Sequence, residues 1–339
     1  MRRIRPCLLA IVVSSRLAAQ QWVPSQSHTT AEFRGLHAVD ARTVWAAGKG
    51  GVVSHTSDAG ASWQVDSIPG AAGLFLVGVH ALDARRAWVV GTAFEGASLG
   101  RLYYTRDAGQ TWVLQYENDA KGVFLDGMAF WDSTHGIAFG DPIEGKLLLL
   151  TTEDGDDWRA RSSEALPAML PGEAAFAASG TAIAVSGTSE AWLGTGGGAH
   201  ARVLHSADRG KRWSAVETPA SGSAAKGIFG IAIGQQGRAV AVGGDYRQRE
   251  ASSENLLLSD DAGRSWRLAQ SPGLVGVQYG VAFAGGARFV AAGPGGSALS
   301  SDGGLTWTRL GSEGYNSVSC AGQVCWAAGT GGRIARLSF

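Results

Sequence analysis

The residues of this chain best suited to chemistry are a few carboxylates and arginines carried by short motifs. They are Arg34 in Phe33-Arg34-Gly35-Leu36, Asp126 in Phe124-Leu125-Asp126, Asp141 before Pro142, Glu173 after Pro171-Gly172, His200, and the run Asp245-Tyr246-Arg247. Two carboxyls drawn from Asp126, Asp141 and Glu173 are the equipment of glycoside hydrolysis, where separation in space defines the roles. As a set the same residues offer something else. Carboxylates, arginines and a tyrosine around one opening form a rim that can recognise a partner. Pairs such as Arg34 with Asp126, or Arg247 with Glu250, also have a plainer use as ion pairs that hold loops.

Other chemistries find less support. Gly194-Thr-Gly196-Gly-Gly-Ala199 imitates a dinucleotide-binding loop, but that fingerprint needs a following helix whose amides and dipole meet the pyrophosphate. The pattern that follows here is a strand. His37 and His80 hold equivalent places in Gly35-Leu-His-Ala-Val-Asp and Gly78-Val-His-Ala-Leu-Asp, and the remaining histidines are scattered. No transition-metal constellation or calcium-ligand spacing is visible, so no metal or cofactor is expected. With 29 basic and 29 acidic residues, the chain gives no electrostatic reason to expect nucleic acid or an anionic membrane as partner.

A repeat must position these residues. A hydroxyl residue, an Asp, a Gly and a Trp recur as Thr56/Asp58/Gly60/Trp63, Thr105/Asp107/Gly109/Trp112, Ser206/Asp208/Gly210/Trp213, Ser259/Asp261/Gly263/Trp266 and Ser300/Asp302/Gly304/Trp307. A decayed copy reads Thr151, Glu153, Gly155, Trp158. The Trp residues lie 41 to 55 positions apart, the period of a four-stranded propeller blade. Asp and Ser or Thr bond nearby amides in a turn, Gly takes φ > 0, and Trp plugs the sheet edge. The phrase resembles the Asp-box of bacterial neuraminidase repeats, which implies a turn between the third and fourth strands, away from the active face. These residues are therefore expected to be structural, and Trp112 to be a buried plug.

A second series gives the count. Strand-like runs ending in Gly48, Gly91, Gly140, Gly194, Gly243, Gly293 and Gly329 make seven units. The last has room for only three strands before Phe339. Gln21-Trp22-Val23-Pro24 reads as its missing outer strand, so the expected fold is an all-β, seven-bladed propeller of four-stranded blades, closed by the N-terminal strand joining the C-terminal blade. Pro24 suits an outermost strand. Residues 20–339 read as one propeller domain. Residues 1–19, with Arg2, Arg3 and Arg5 before an apolar run and Leu17-Ala18-Ala19 after it, read as a secretory signal peptide. The expected location is periplasmic or extracellular, with no membrane span. Cys320 and Cys325 then remain, and across a hairpin of the last blade they can pair in an oxidising compartment.

From the Gly-ending strand to the next hydroxyl-Asp turn the chain takes 8 residues in the first unit and 7 in the sixth, but 11 to 16 in units two to five. Insertions in repeat proteins map to the binding face. These longer loops carry Phe94 and Glu95, Asp141 and Glu144, His200, and Asp245, Tyr246, Arg247 and Arg249.

Together with Phe33-Arg34-Gly35-Leu36, Phe124-Leu125-Asp126, His135-Gly-Ile-Ala-Phe-Gly-Asp141-Pro142, Pro171-Gly-Glu173-Ala-Ala-Phe176-Ala-Ala-Ser179-Gly, Gly243-Gly244-Asp245-Tyr246 and Gly293-Pro294, the chain resembles the bacterial seven-bladed Asp-box propeller family that includes photosystem II stability and assembly factors. The resemblance implies a non-catalytic folding or assembly role; with the export expected from residues 1–19, the expected partner is a protein or peptide of the cell envelope and the chain is expected to be a monomer. The competing expectation is an Asp-box glycoside hydrolase. A sialidase would need three arginines from separate blades, whereas the loop face offers Arg34 and two in one loop, and the Arg-Ile-Pro signature is absent beyond residue 19.

Overall fold

The computed structural model describes residues 20–94 and 96–339; the expected leader at 1–19 and Glu95 lie outside them. Twenty-eight strands form seven four-stranded sheets. Each blade runs from an inner strand outward, as in the first, Phe33–Ala38, Val44–Gly48, Val52–Thr56 and Gln64–Ser67. The seventh blade is composite. Ser317–Ala321, Val324–Ala328 and Ile334–Ser338 are followed by Val23–Ser25, which pairs antiparallel with the last of them through Val23 opposite Arg336. This outer strand begins two residues later than the sequence suggests. Trp22 instead donates its indole N–H to Ser297 Oγ at 2.7 Å, tying the terminus to the sixth blade.

The core is seven interfaces. Each apolar cluster joins two neighbouring blades: Trp45 and Val53 pack with Leu76 and Val89, Trp88 and Leu102 with Met128 and Leu150, and so round to Phe33 and Trp63 with Trp326 and Ile334. A blade therefore buries its faces only against its neighbours.

The recurrent turn shows why its residue types recur. Thr56 Oγ1 accepts from the amide of Gly60, while Asp58 accepts from the amide and hydroxyl of Ser62. Gly60 is left-handed at φ 83°, and a Cβ there would stand 2.5 Å from the Trp326 ring of the preceding blade. The residue is Gly for both reasons. The third blade corrects the decayed reading. Its hydroxyl and carboxylate are Thr152 and Asp154, not Thr151 and Glu153, because this turn is one residue shorter. Trp63, Trp158, Trp213, Trp266 and Trp307 are buried, whereas Trp112 is only half-buried and its indole N–H meets no acceptor. Cys320 and Cys325 face each other across the hairpin of the last blade and are joined by a disulfide. Among the described residues no helix is long and apolar enough to cross a membrane.

Candidate functional site

The inner strands carry the site. In four of them the pairing register skips one residue, between Phe33 and Gly35, Leu76 and Gly78, Leu125 and Gly127, and Ile228 and Gly230. The skipped residues are Arg34, Val77, Asp126 and Phe229, each just before a glycine. A β-bulge re-aims its extra residue. Three of these four, Arg34, Asp126 and Phe229, line a central cavity of about 400 Å³ on the loop face.

The segment at 174–181, which leads into the inner strand Ile183–Ser186 of the fourth blade, forms the floor of that cavity. Ala177 O accepts from Arg34 Nη1 at 3.1 Å, Ser179 Oγ donates to Tyr279 O at 2.7 Å, and a Cβ on Gly180 would stand 3.1 Å from Val77 O. It thus touches the first, sixth and second blades and separates the loop-face cavity from a second mouth around Leu36, His37, His80, Met128 and Phe283. His37 and His80 stack there at 4.4 Å, on the opposite side of the floor.

The cavity wall is aromatic. Phe94, Phe124, Phe176, Phe229, Tyr246 and Tyr279 line it, with Phe176 and Phe229 at 4.6 Å and Phe94 and Phe124 at 5.3 Å. The Arg34 guanidinium lies 4.7 Å over the Phe75 ring and bonds Glu32 at 3.3 Å, not Asp126. Arg34, Arg249 and Tyr279 are shared with an adjoining hollow of about 560 Å³ that adds Glu32, Glu313 and Arg333. Asp126 is 1% exposed, and burial followed by the neighbouring Asp141 charge pushes its carboxyl well above the usual range. Burial likewise raises Asp141 to about 6, opposed by the Ala175 N–H that its Oδ1 accepts at 3.2 Å. Two desolvated carboxyls thus face one aromatic cavity.

The structure brings together Arg34, Asp126, Asp141 and Tyr246, and sets the other expected rim residues apart. Glu173 is inside the wall. Its carboxylate takes Arg202 Nε at 2.8 Å, Thr195 Oγ1 at 2.6 Å and Leu170 N–H at 2.8 Å, and its side chain is fully buried. A loop with a buried end needs such an anchor, which is why a carboxylate stands there. The glycine-rich loop beside it spends its first four amides on the fold: Gly194 N–H goes to Ala182 O, Thr195 N–H to Arg202 O, Gly196 N–H to Ala174 O and Gly197 N–H to Lys226 O, and the strand His200–Ser206 follows it instead of a helix. His200 is exposed at the start of an outer-half strand and pairs with Ser221. Asp245 caps the amide of Arg247, and Arg247 lies 5.8 Å over the Tyr246 ring outside the cavity; no ion pair to Glu250 forms. Arg249 takes its place on the lining. Sequence reasoning passed over Phe124, Phe176, Phe229 and Tyr279. A usable signal was the position before the glycine of an inner strand, which is Arg34, Asp126, Phe229 and Tyr279 in four of the seven blades; Val77 holds the same position in the second blade without reaching the lining.

No protein-family profile and no curated protein sequence matches this chain. Solved structures do. A structure of YCF48 bound to D1 peptide superposes with a TM-score of 0.68 at 15% identity, covering 96% of this chain and 100% of that one. YCF48 from Cyanidioschyzon merolae gives 0.64 at 15%, covering 94% and 99%. A catalytically inactive virginiamycin B lyase from Staphylococcus aureus with quinupristin gives 0.67 at 12%, covering 94% and 99%. At such identities the likeness is one of fold, and this fold serves both a peptide binder and an enzyme.

Proposed function

We propose that this chain is an exported, non-catalytic, monomeric propeller that holds a polypeptide segment of an envelope partner on its loop face, in the manner of an assembly or stability factor. The observation that carries the reading is the aromatic cavity of about 400 Å³ whose lining includes two arginines, Arg34 and Arg249, and two carboxyls, Asp126 and Asp141. Such a site buries one or two side chains of an extended segment and orients them by a few polar groups. A YCF48 structure with a bound D1 peptide supports the choice by analogy. The leader-like composition of residues 1–19 and the Cys320–Cys325 bond support export.

The test is fluorescence anisotropy against a library of labelled octapeptides. Tyr246→Ala with Arg249→Ala should weaken the best peptides at least tenfold without changing the melt, whereas His200→Ala should leave them unchanged. Equal binding by the double variant refutes the site. A second reading, a glycoside hydrolase, rests on Asp126 and Asp141 alone, since Glu173 is committed to Arg202. It requires aryl glycoside cleavage that Asp141→Asn abolishes.

A further inference from the structure

The carboxyl pair of the cavity lacks what a buried pair ordinarily has. Asp126 lines the cavity, and its Oδ2 is buried and meets no hydrogen-bond donor. Asp141 meets one backbone N–H. The two arginines of the same cavity are turned to other acceptors, Arg34 to Glu32 and Ala177 O, and Arg249 to Tyr246 O at 3.4 Å. Unpaired buried carboxyls are costly, and the cost is relieved by a cation that also brings donors.

We propose that this corner of the cavity receives a primary ammonium on an aliphatic stem, the lysine side chain of a bound polypeptide. This rests on the peptide-binding reading and names the residue that the cavity takes. Asp141, half-buried, would meet the ammonium first, and the more deeply buried Asp126, close enough to feel the Asp141 charge, would share it. Three N–H donors suit two carboxyls reached from one side. Phe94, Phe124, Phe176 and Phe229 cover the stem, and their faces attract the charge. Arg34, Arg249, Tyr246 and Tyr279 are the other charged or titratable groups facing the cavity. None of them supplies the missing cation. A bound ammonium favours the ionised carboxyls, so binding must release protons and weaken as pH falls from 8 toward 5.

The experiment is isothermal titration of the full chain with N-acetyl-lysine methylamide, with the norleucine compound in which a methyl replaces the ammonium, and with the arginine analogue. Lysine is expected to bind at least tenfold tighter than either. Its heat should differ between phosphate and Tris buffers at pH 7 by the amount that marks proton release, a readout that needs no variant. Asp141→Asn and Asp126→Asn should each erase the preference for lysine over norleucine. Norleucine binding equal to lysine, or a preference that survives both variants, overturns the inference while leaving peptide binding standing. Stoichiometric binding of calcium chloride that displaces the lysine compound also overturns it, in favour of a metal site. Failure of all three compounds together with the whole octapeptide library overturns both readings.

Discussion

Glu173→Gln separates a wall residue from a rim residue. The Glu173 side chain is fully buried and that of Arg202 is 7% exposed, and the pair is joined through two guanidinium nitrogens. The amide keeps one acceptor oxygen but removes the charge that neutralises the Arg202 guanidinium, whose other acceptor is the neutral Ala168 O, and it sets an NH2 where Arg202, Leu170 N–H or Thr195 Oγ1 now finds an acceptor. Breaking one side of a buried pair costs about 3–5 kcal/mol. With an unfolding entropy of about 2.1 cal/mol/K per residue, roughly 320 residues lose about 0.7 kcal/mol/K, so the melt should fall by about 4–7 °C.

The assay is thermal melting by circular dichroism, run beside peptide anisotropy on the same preparations. Arg202→Met alone should cost about as much as Glu173→Gln, and Glu173→Leu combined with Arg202→Met should recover more than half of the loss, because two apolar side chains leave no orphaned charge. Affinity measured well below the melt should stay within twofold of wild type. A Glu173→Gln protein that melts like wild type yet loses its peptide would refute the assignment and return Glu173 to the rim.

Two further outcomes follow from the same geometry. Burial holds His37 near 4, and burial with the His37 charge holds His80 well below its ordinary value. Their folded pKa values lie under the unfolded one, so their stability is complete above about pH 6.5 and drains toward pH 4, with a slope of up to about 1.4 kcal/mol per pH unit for each. Asp126 and Asp141, raised instead, act in the opposite sense over that window. His80→Phe should therefore narrow the difference in urea midpoint between pH 7.5 and 5.0, and an unchanged difference would count against the stacked pair as its source. Trp213→Ala should cost about 3–5 kcal/mol, because it empties a buried aromatic site. Trp112→Ala should cost less than half of that, since its ring is half-buried and its N–H unpaired; equal losses in denaturant titrations would be the adverse result.

The candidate site was only partly legible in the chain. Arg34, Asp126, Asp141 and Tyr246 were readable because they sit at motif positions tied to inner-strand starts and long loops. Glu173 misled because a carboxylate after Pro-Gly looks the same whether it faces solvent or a buried Arg202, and that arginine is 29 residues away. Arg247 and Arg249 share one loop, and only the turn capped by Asp245 decides which of them lines the cavity. The floor at 174–181 is irregular, without a period to betray it. Its role appears only when Ala177, Ser179 and Gly180 meet the first, sixth and second blades.

What the sequence determined by itself is the number of blades, the hydroxyl–Asp–Gly–Trp turns and the closure by an N-terminal strand. Each is specified locally, by alternation of side chains and by turn residues that bond their own neighbours, and repetition makes a local rule into a global one. Tertiary structure alone decided which carboxyls are unpaired, which aromatic rings converge and what blocks the axis. Those properties depend on segments from different blades meeting at the ring's centre, where burial and the absence of a counter-charge set the chemistry and no spacing along the chain records the distance.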